Sequence, residues 1–363
     1  MLQALLPFLV TCGIGLLIVL TTGWHGPVSM RRTLGVQNLH LDPTPRIGGM
    51  AIAVGLVIAF EVARPAVRSL LGPMLLAACP AFAAGLLEDF TKSISVRVRL
   101  FATMSSGVLA WLLTGMAMQN TGLWGLDHLL AFLPLAVAFT AFVVGGVANA
   151  VNMIDGFNGL AAGAVTIMLA AMGLMALQLG DPDVAALSLL IASVALGFGV
   201  VNWPWGKVFM GDGGAYLLGF LVAWVAILLP MRHSEISGWA TLMACAYPVI
   251  EALFSIARRL KVPGRHLGLP DKRHLHHFLH RRVVRRFFPL AEPTLQNAMS
   301  GALVWFLALI PAAWAVANFH NTSALVAGFF LASFGYAALY ARLTQFVWCF
   351  HPATLQRRSM KAS

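Results

Sequence analysis

Long apolar runs separated by short polar islands dominate this chain. Apolar stretches can be drawn at 2–22, 48–63, 69–87, 100–118, 129–148, 159–178, 185–202, 214–231, 238–257, 298–318 and 323–341. Each approaches the length of about 20 residues that lets a helix cross the hydrocarbon core. The pattern predicts an all-α polytopic membrane helical bundle of about eleven transmembrane helices. Four polar islands interrupt it: Gly85-Leu-Leu-Glu88-Asp89, Asn149-Ala-Val-Asn152-Met-Ile-Asp155-Gly-Phe-Asn158-Gly159, Lys207-Val-Phe209-Met-Gly211-Asp212-Gly213, and Asp271-Lys-Arg-His274-Leu-His276-His277. Polar groups at the ends of membrane helices are costly enough to suggest function.

Composition agrees with the periodicity. Apolar residues make up 59% of the 363 and charged residues 10%, against about 25% charged in a soluble domain. The first segment has no Lys or Arg ahead of it and no small-residue cleavage site followed by a polar stretch, so it is read as a spanning helix rather than a removed leader. Cys12, Cys79, Cys245 and Cys349 lie in apolar surroundings without metal-type spacing, which argues for small core residues over disulfides or thiolate sites.

The net charge of +11 changes the picture through its placement. One alternating set of connections carries Arg31, Arg32, Arg46, Lys92, Arg97, Arg99, Lys207, the cluster from Arg258 to Arg286, and Arg342, Arg357, Arg358 and Lys361. The other set carries Arg64, Arg68 and Arg232. The positive-inside rule makes the crowded side cytoplasmic, with a periplasmic N-terminus and a cytoplasmic C-terminus. A topological origin of the charge leaves no call for nucleic acid. All four islands then share the cytoplasmic face, as one active site would require.

The expected organisation is a single integral membrane domain over 1–345, with site loops near 23–47, 88–99, 149–158, 203–213 and 258–297, and a basic cytoplasmic tail over 346–363. No connection is long enough for an independent core. The run from His277 to Phe288 alternates basic and apolar residues, as an interfacial helix against anionic headgroups does.

Chemistry can be read from the islands. Asn149, Asn152 and Asp155 recur every three residues and share one face if the helix continues through them. Asp212 lies among Gly211, Gly213 and Gly214 ahead of an apolar helix, where glycines admit close backbone approach and a helix N-terminus favours phosphate. A hard cation prefers oxygen ligands, and Asp89, Asn152, Asp155 and Asp212 offer them. His274, His276 and His277, set among Lys and Arg, suit hydrogen bonding to phosphate or sugar better than zinc. This inventory fits phosphoryl transfer from a soluble nucleotide to a lipid.

With those residues in place, the chain resembles the polyprenyl-phosphate N-acetylhexosamine-1-phosphate transferases. The similarity rests on Pro43-Thr-Pro-Arg46-Ile-Gly-Gly49 and the four islands, which keep the family's order over residues 43–277. The resemblance implies transfer of N-acetylhexosamine 1-phosphate from a UDP-N-acetylhexosamine to undecaprenyl phosphate, with UMP leaving. That reaction starts a cell-surface polysaccharide such as O-antigen, in the bacterial inner membrane. It further implies Glu88, Asp89, Asp155 and Asp212 as the catalytic carboxylates. Substrate contacts are assigned to Arg46, Asn149, Asn152, Asn158, Lys207, Phe209, Gly211, Asp271, His274, His276 and His277. Mg²⁺, with Mn²⁺ as an alternative, is assigned to Asn152 and Asp212, and a homodimer is left open. Glu88 stands where the family usually has Asp, Asn158 where many bacterial members have Asp. The spacing His274-Leu-His276-His277 points to the non-peptide sugar branch. Two other classes compete: a transporter with Asp155 as proton relay, which would need polar groups near the bilayer midplane, and a lipid pyrophosphate hydrolase.

Overall fold

The computed structural model describes residues 2–29, 44–261, 271 and 273–345. The expected tail 346–363 with Cys349, the loop residues Arg31, Arg32 and Pro43, and Arg265 and Lys272 lie outside the described residues. Within them the chain is helical and carries no strand. The helices are α1 (Leu2–Leu20), α2 (Thr22–Ser29), α3 (Gly48–Val62), α4 (Pro65–Thr91), α5 (Val96–Thr114), α6 (Trp124–Leu130), α7 (Leu133–Ile154), α8 (Leu160–Gln178), α9 (Pro182–Asn202), α10 (Gly211–Arg232), α11 (Gly238–Ala244), α12 (Ala246–Leu260), α13 (Leu275–Leu279), α14 (Arg285–Phe287), α15 (Pro293–Asn318) and α16 (Thr322–Gln345).

Every predicted apolar segment is helical, but the segments are not equal as spans. Among the described residues, nine helices are long and apolar enough to cross a membrane. The stretch read as one helix over 238–257 is instead α11 and α12, bent by 83° at the break. α3 has 15 residues, so at 1.5 Å per residue it reaches about 22 Å, short of the ~30 Å hydrocarbon core. Apolar periodicity cannot distinguish a full span from a bent or short one, because both bury the same kinds of side chain.

α10 is the pillar of the bundle. It is buried from Gly213 through Pro230 and packs against α3, α4, α7 and α8. Lipid tails are as apolar as leucine, so close packing rather than expulsion from water holds such a helix. Small residues make that packing close. A Cβ on Gly219 would stand 2.7 Å from the Cα of Ala148 on α7, and one on Gly49 of α3 2.5 Å from the Gly214 nitrogen. A Cβ on Gly85 of α4 would stand 2.6 Å from the Asp212 backbone. Three helices therefore lean on the first turns of α10.

Candidate active site

Two chain segments meet main chain to main chain beneath the site. The Phe209 N–H donates to the Pro45 carbonyl at 2.8 Å, Gly48 N–H to Phe209 O at 3.0 Å, and Gly49 N–H to Met210 O at 2.8 Å. This short ladder ties the Arg46 segment to the turn that starts α10. Gly211 follows with φ of 74°, a conformation that side chains rarely adopt. Its Cα faces the Arg46 carbonyl and the Asp89 carboxylate, leaving no room for a Cβ.

Asp89, at the end of α4, is 2% exposed and caps α10 from outside it. Its carboxylate accepts from the Asp212 N–H at 3.0 Å and the Gly213 N–H at 2.9 Å. The sequence suggests that the first amides of α10 are open to phosphate; in the structure they hold this carboxylate, which is itself the anion a helix N-terminus favours. Lys92 Nζ lies 3.7 Å from Asp89 Oδ1. Lys92 has left-handed φ and ends α4, and burial with Arg46 beside it lowers its ammonium below the usual range. Neighbouring Glu88 accepts the Ile94 N–H at 2.8 Å, shaping the turn into α5.

Asp212 points toward α5, where the Arg99 guanidinium contacts its Oδ2. Arg99 was not among the sequence candidates, and its signal, a second basic residue one turn into α5, is too common to single out. The Nε atoms of both Arg46 and Arg99 are buried without a partner.

The polar face expected of Asn149, Asn152 and Asp155 is interrupted. α7 ends at Ile154, and Asp155 adopts a non-helical conformation with ψ of 62°. Asn149 is used for packing, donating to Thr103 Oγ1 at 3.1 Å and Gly145 O at 2.8 Å. Asn152 is half-buried. Burial pushes the Asp155 carboxyl up to about 7; Arg46 opposes this, while the Asp212 and Asp89 carboxylates reinforce it. Asp155 is thus within electrostatic range of Asp89, Asp212 and Arg46.

Asn158 is enclosed. Its backbone N–H donates to Asn297 Oδ1 at 2.8 Å and its side-chain amide to Pro204 O at 2.9 Å, leaving its own Oδ1 without a protein partner. Lys207 is exposed at the rim.

The histidine segment folds over this turn. Phe157, 4% exposed, has the rings of His276, His277 and His280 around it at 5.4, 5.3 and 5.3 Å. His280 is a fourth member, three residues after His277 and four after His276, so ordinary helical spacing places it on the same side, just where the π-helical turn His280–Val284 begins. His276 lies against Gly156, and burial, with His277 and His274 nearby, holds its imidazole well below the usual range. Asp271 stands apart from the carboxylates. It pairs with Arg258 at 2.7 Å and Arg259 at 3.5 Å; burial, the largest single influence, raises its pKa, but Arg258, the Arg273 N–H and Arg259 together bring it below the usual carboxylate range. Its geometry is that of a brace for the loop.

Sequence comparison bears on what this arrangement serves. Residues 71–230 match the family described as Glycosyl transferase family 4. The chain is 31% identical to the decaprenyl-phosphate N-acetylglucosaminephosphotransferase of Mycobacterium leprae, covering 68% of this chain and 71% of that protein. It is 28% identical to the probable undecaprenyl-phosphate N-acetylglucosaminyl 1-phosphate transferase of Bacillus subtilis, covering 67% of each. It is 26% identical to the undecaprenyl-phosphate alpha-N-acetylglucosaminyl 1-phosphate transferase of Yersinia pestis, covering 75% and 74%.

Proposed function

The chain belongs to glycosyl transferase family 4, and from that premise we propose that it transfers N-acetylhexosamine 1-phosphate from a UDP-sugar to a polyprenyl phosphate. The names of its relatives favour N-acetylglucosamine as the sugar and undecaprenyl or decaprenyl phosphate as the acceptor. The observation that carries the reading is the meeting of Asp89, Asp155 and Asp212 with Arg46, Lys92 and Arg99 at one end of a membrane bundle. Such a site can hold several phosphate charges beside the lipid that brings one of the substrates.

In this reading an oxygen of the lipid phosphate attacks the β-phosphorus of the UDP-sugar, and the bond to the α-phosphate oxygen breaks as UMP leaves. A phosphate monoester has its second pKa near ~6, so the nucleophile is largely a dianion at neutral pH. Where a proton must be taken from the monoanion, Asp155 suits the task better than Asp89. Both oxygens of Asp89 are bound to the start of α10, which commits it to the cap, whereas Asp155 closes the turn after α7 with its carboxyl pushed up toward the range useful to a general base. Arg46, Lys92 and Arg99 offset phosphate charge, and the histidine segment contacts sugar and phosphate.

Mg²⁺ fits the donors present. It takes oxygen ligands, usually one or two carboxylates completed by substrate phosphates. Among the described residues no three His, Cys, Asp or Glu side chains form a ready metal cluster, which suits a cation that arrives with a diphosphate. Asp212 and Asn152 would hold it, with Asp155 alongside, and mutual repulsion of the acidic groups is relieved by a cation there. When bound, the ion spreads the charge developing on the leaving UMP.

The site's position at helix ends counts against a midplane transport pathway, and the UDP-sugar reading, unlike a hydrolase, gives the Asn-rich turn a purpose. The experiment is to supply purified protein and polyprenyl phosphate with a panel of UDP-sugars. UMP release that needs both the lipid and a divalent cation supports the reading. Absence of UMP with every donor, or release without the lipid, overturns it.

A further inference from the structure

Glu251 is a carboxylate that the chemistry above does not use. It lies on α12, the limb beyond the 83° bend, and is 1% exposed. A buried carboxylate is tolerated only when it is paired and hydrogen-bonded. Its closest partners belong to the histidine segment. The His274 Nδ1 lies 3.0 Å from Oε1, and the Leu275 N–H lies 3.3 Å from each carboxylate oxygen. The Tyr247 and Tyr336 hydroxyls are its other electrostatic neighbours.

A carboxylate oxygen that accepts at this distance calls for the ring proton on His274 Nδ1, and in that neutral tautomer Nε2 is left as the acceptor. His274 then stacks on His276 with ring centres 5.3 Å apart and planes 12° from parallel, and His276 reaches Gly156 in the Asp155 turn. The carboxylate holds the ring and the first backbone amide of α13 together, which sets both the tautomer and the direction of the segment. Tyr340 secures the same corner by donating to the Arg273 carbonyl at 3.1 Å.

We propose that Glu251 is a positioning residue of the active site, fixing the Nδ1–H tautomer and orientation of His274 so that its Nε2, an acceptor in that tautomer, is presented to a sugar hydroxyl of the bound nucleotide. The role rests on the transferase reading for its ligand, but not for the tautomer. Carboxylates that orient a histidine typically matter by about tenfold to a hundredfold when removed.

The test uses the full chain with Glu251→Gln, His274→Gln and the double variant. Glu251→Gln preserves shape and one acceptor, so it is expected to fold, and Glu251→Asp provides a second, charge-preserving variant if it does not. Nitrogen-15 spectra of labelled histidine in the protein without substrate should give Nδ1–H for His274 in the parent and a mixed or Nε2–H population in Glu251→Gln. UMP release should fall about tenfold or more in Glu251→Gln, mostly in kcat, and the further loss on adding Glu251→Gln to His274→Gln should be near onefold. An unchanged His274 tautomer overturns the proposal. So does a full additional loss in the double variant, since that would mean Glu251 acts through something other than His274. The spectra stand apart from turnover, so failure of the transferase reading would leave the tautomer result intact and be recognised by absent UMP in the parent.

Discussion

At the residue scale, the acidic groups of the site differ by what each oxygen touches. Asp89 serves as a tertiary cap, with its two oxygens on the first amides of α10. Asp89→Asn keeps one acceptor and turns the other into a donor facing an N–H. The expected cost is about 1–2 kcal/mol of stability, visible as a lower melting temperature, and a variant that melts like the parent would mean the cap contributes nothing. The Asp155 carboxyl is raised from 3.8 to about 7, chiefly by burial. A raised carboxyl favours the fold fully below its unfolded pKa and loses that contribution as pH climbs through the folded one. The melting temperature of the parent should therefore fall, relative to Asp155→Asn, between about pH 4 and pH 8. Mg²⁺ should recover part of the difference at pH 8 by neutralising the ionised group. Parallel pH profiles for the two proteins would rule out Asp155 as the titrating group.

At the element scale, the site depends on how closely helices approach the start of α10. Gly85 is a direct test, because its missing Cβ would meet the backbone of Asp212 and Gly213 at 2.6 Å. Backbone cannot swing aside as a flexible side chain can, so Gly85→Ala must shift α4 against α10 and move Asp89 and Asp212 relative to each other. A displacement of about 1 Å can cost a hundredfold in rate. The expected outcome is a loss of UMP release of about that size in protein that still purifies as a folded species, and near-parental turnover would show the contact to be easily relaxed. The bend between α11 and α12 belongs to this scale as well, since it carries Glu251 to the histidine segment.

At the scale of the whole molecule, the Lys and Arg residues are unequally shared between alternate connections, and the positive-inside rule turns that asymmetry into a testable expectation of orientation. The loop after α14 offers a clean probe, because Leu290 is 98% exposed. In a variant lacking the exposed native Cys79, Leu290→Cys should resist an impermeant thiol reagent in intact cells and react once the membrane is opened. Gly125→Cys, at the opposite end of the bundle with open space around its Cβ position, should react from outside. Labelling of Leu290→Cys in intact cells would invert the assignment and place the site outside.

Much of this protein is determined by its sequence alone. Runs of apolar residues of near-spanning length specify a helical membrane bundle, since only helices and closed barrels satisfy their backbone groups in lipid. The order and spacing of the polar islands specify the family, and the Lys and Arg bias supplies an expectation of orientation. Only the tertiary structure decided the division of labour among those residues. Gly211, Asn149 and Asp271, which carry the look of ligand contacts, are committed to a backbone approach, a helix contact and an ion-pair brace. Arg99, Glu251 and His280, which stand outside every island, are joined to the site through an ion pair, a buried carboxylate–imidazole contact and packing on the Phe157 ring. The reason is physical: helical periodicity and hydropathy report which side of an element is apolar, while the partner of a given carboxylate, guanidinium or ring is set by where helices distant in sequence cross, and local pattern carries no record of that crossing.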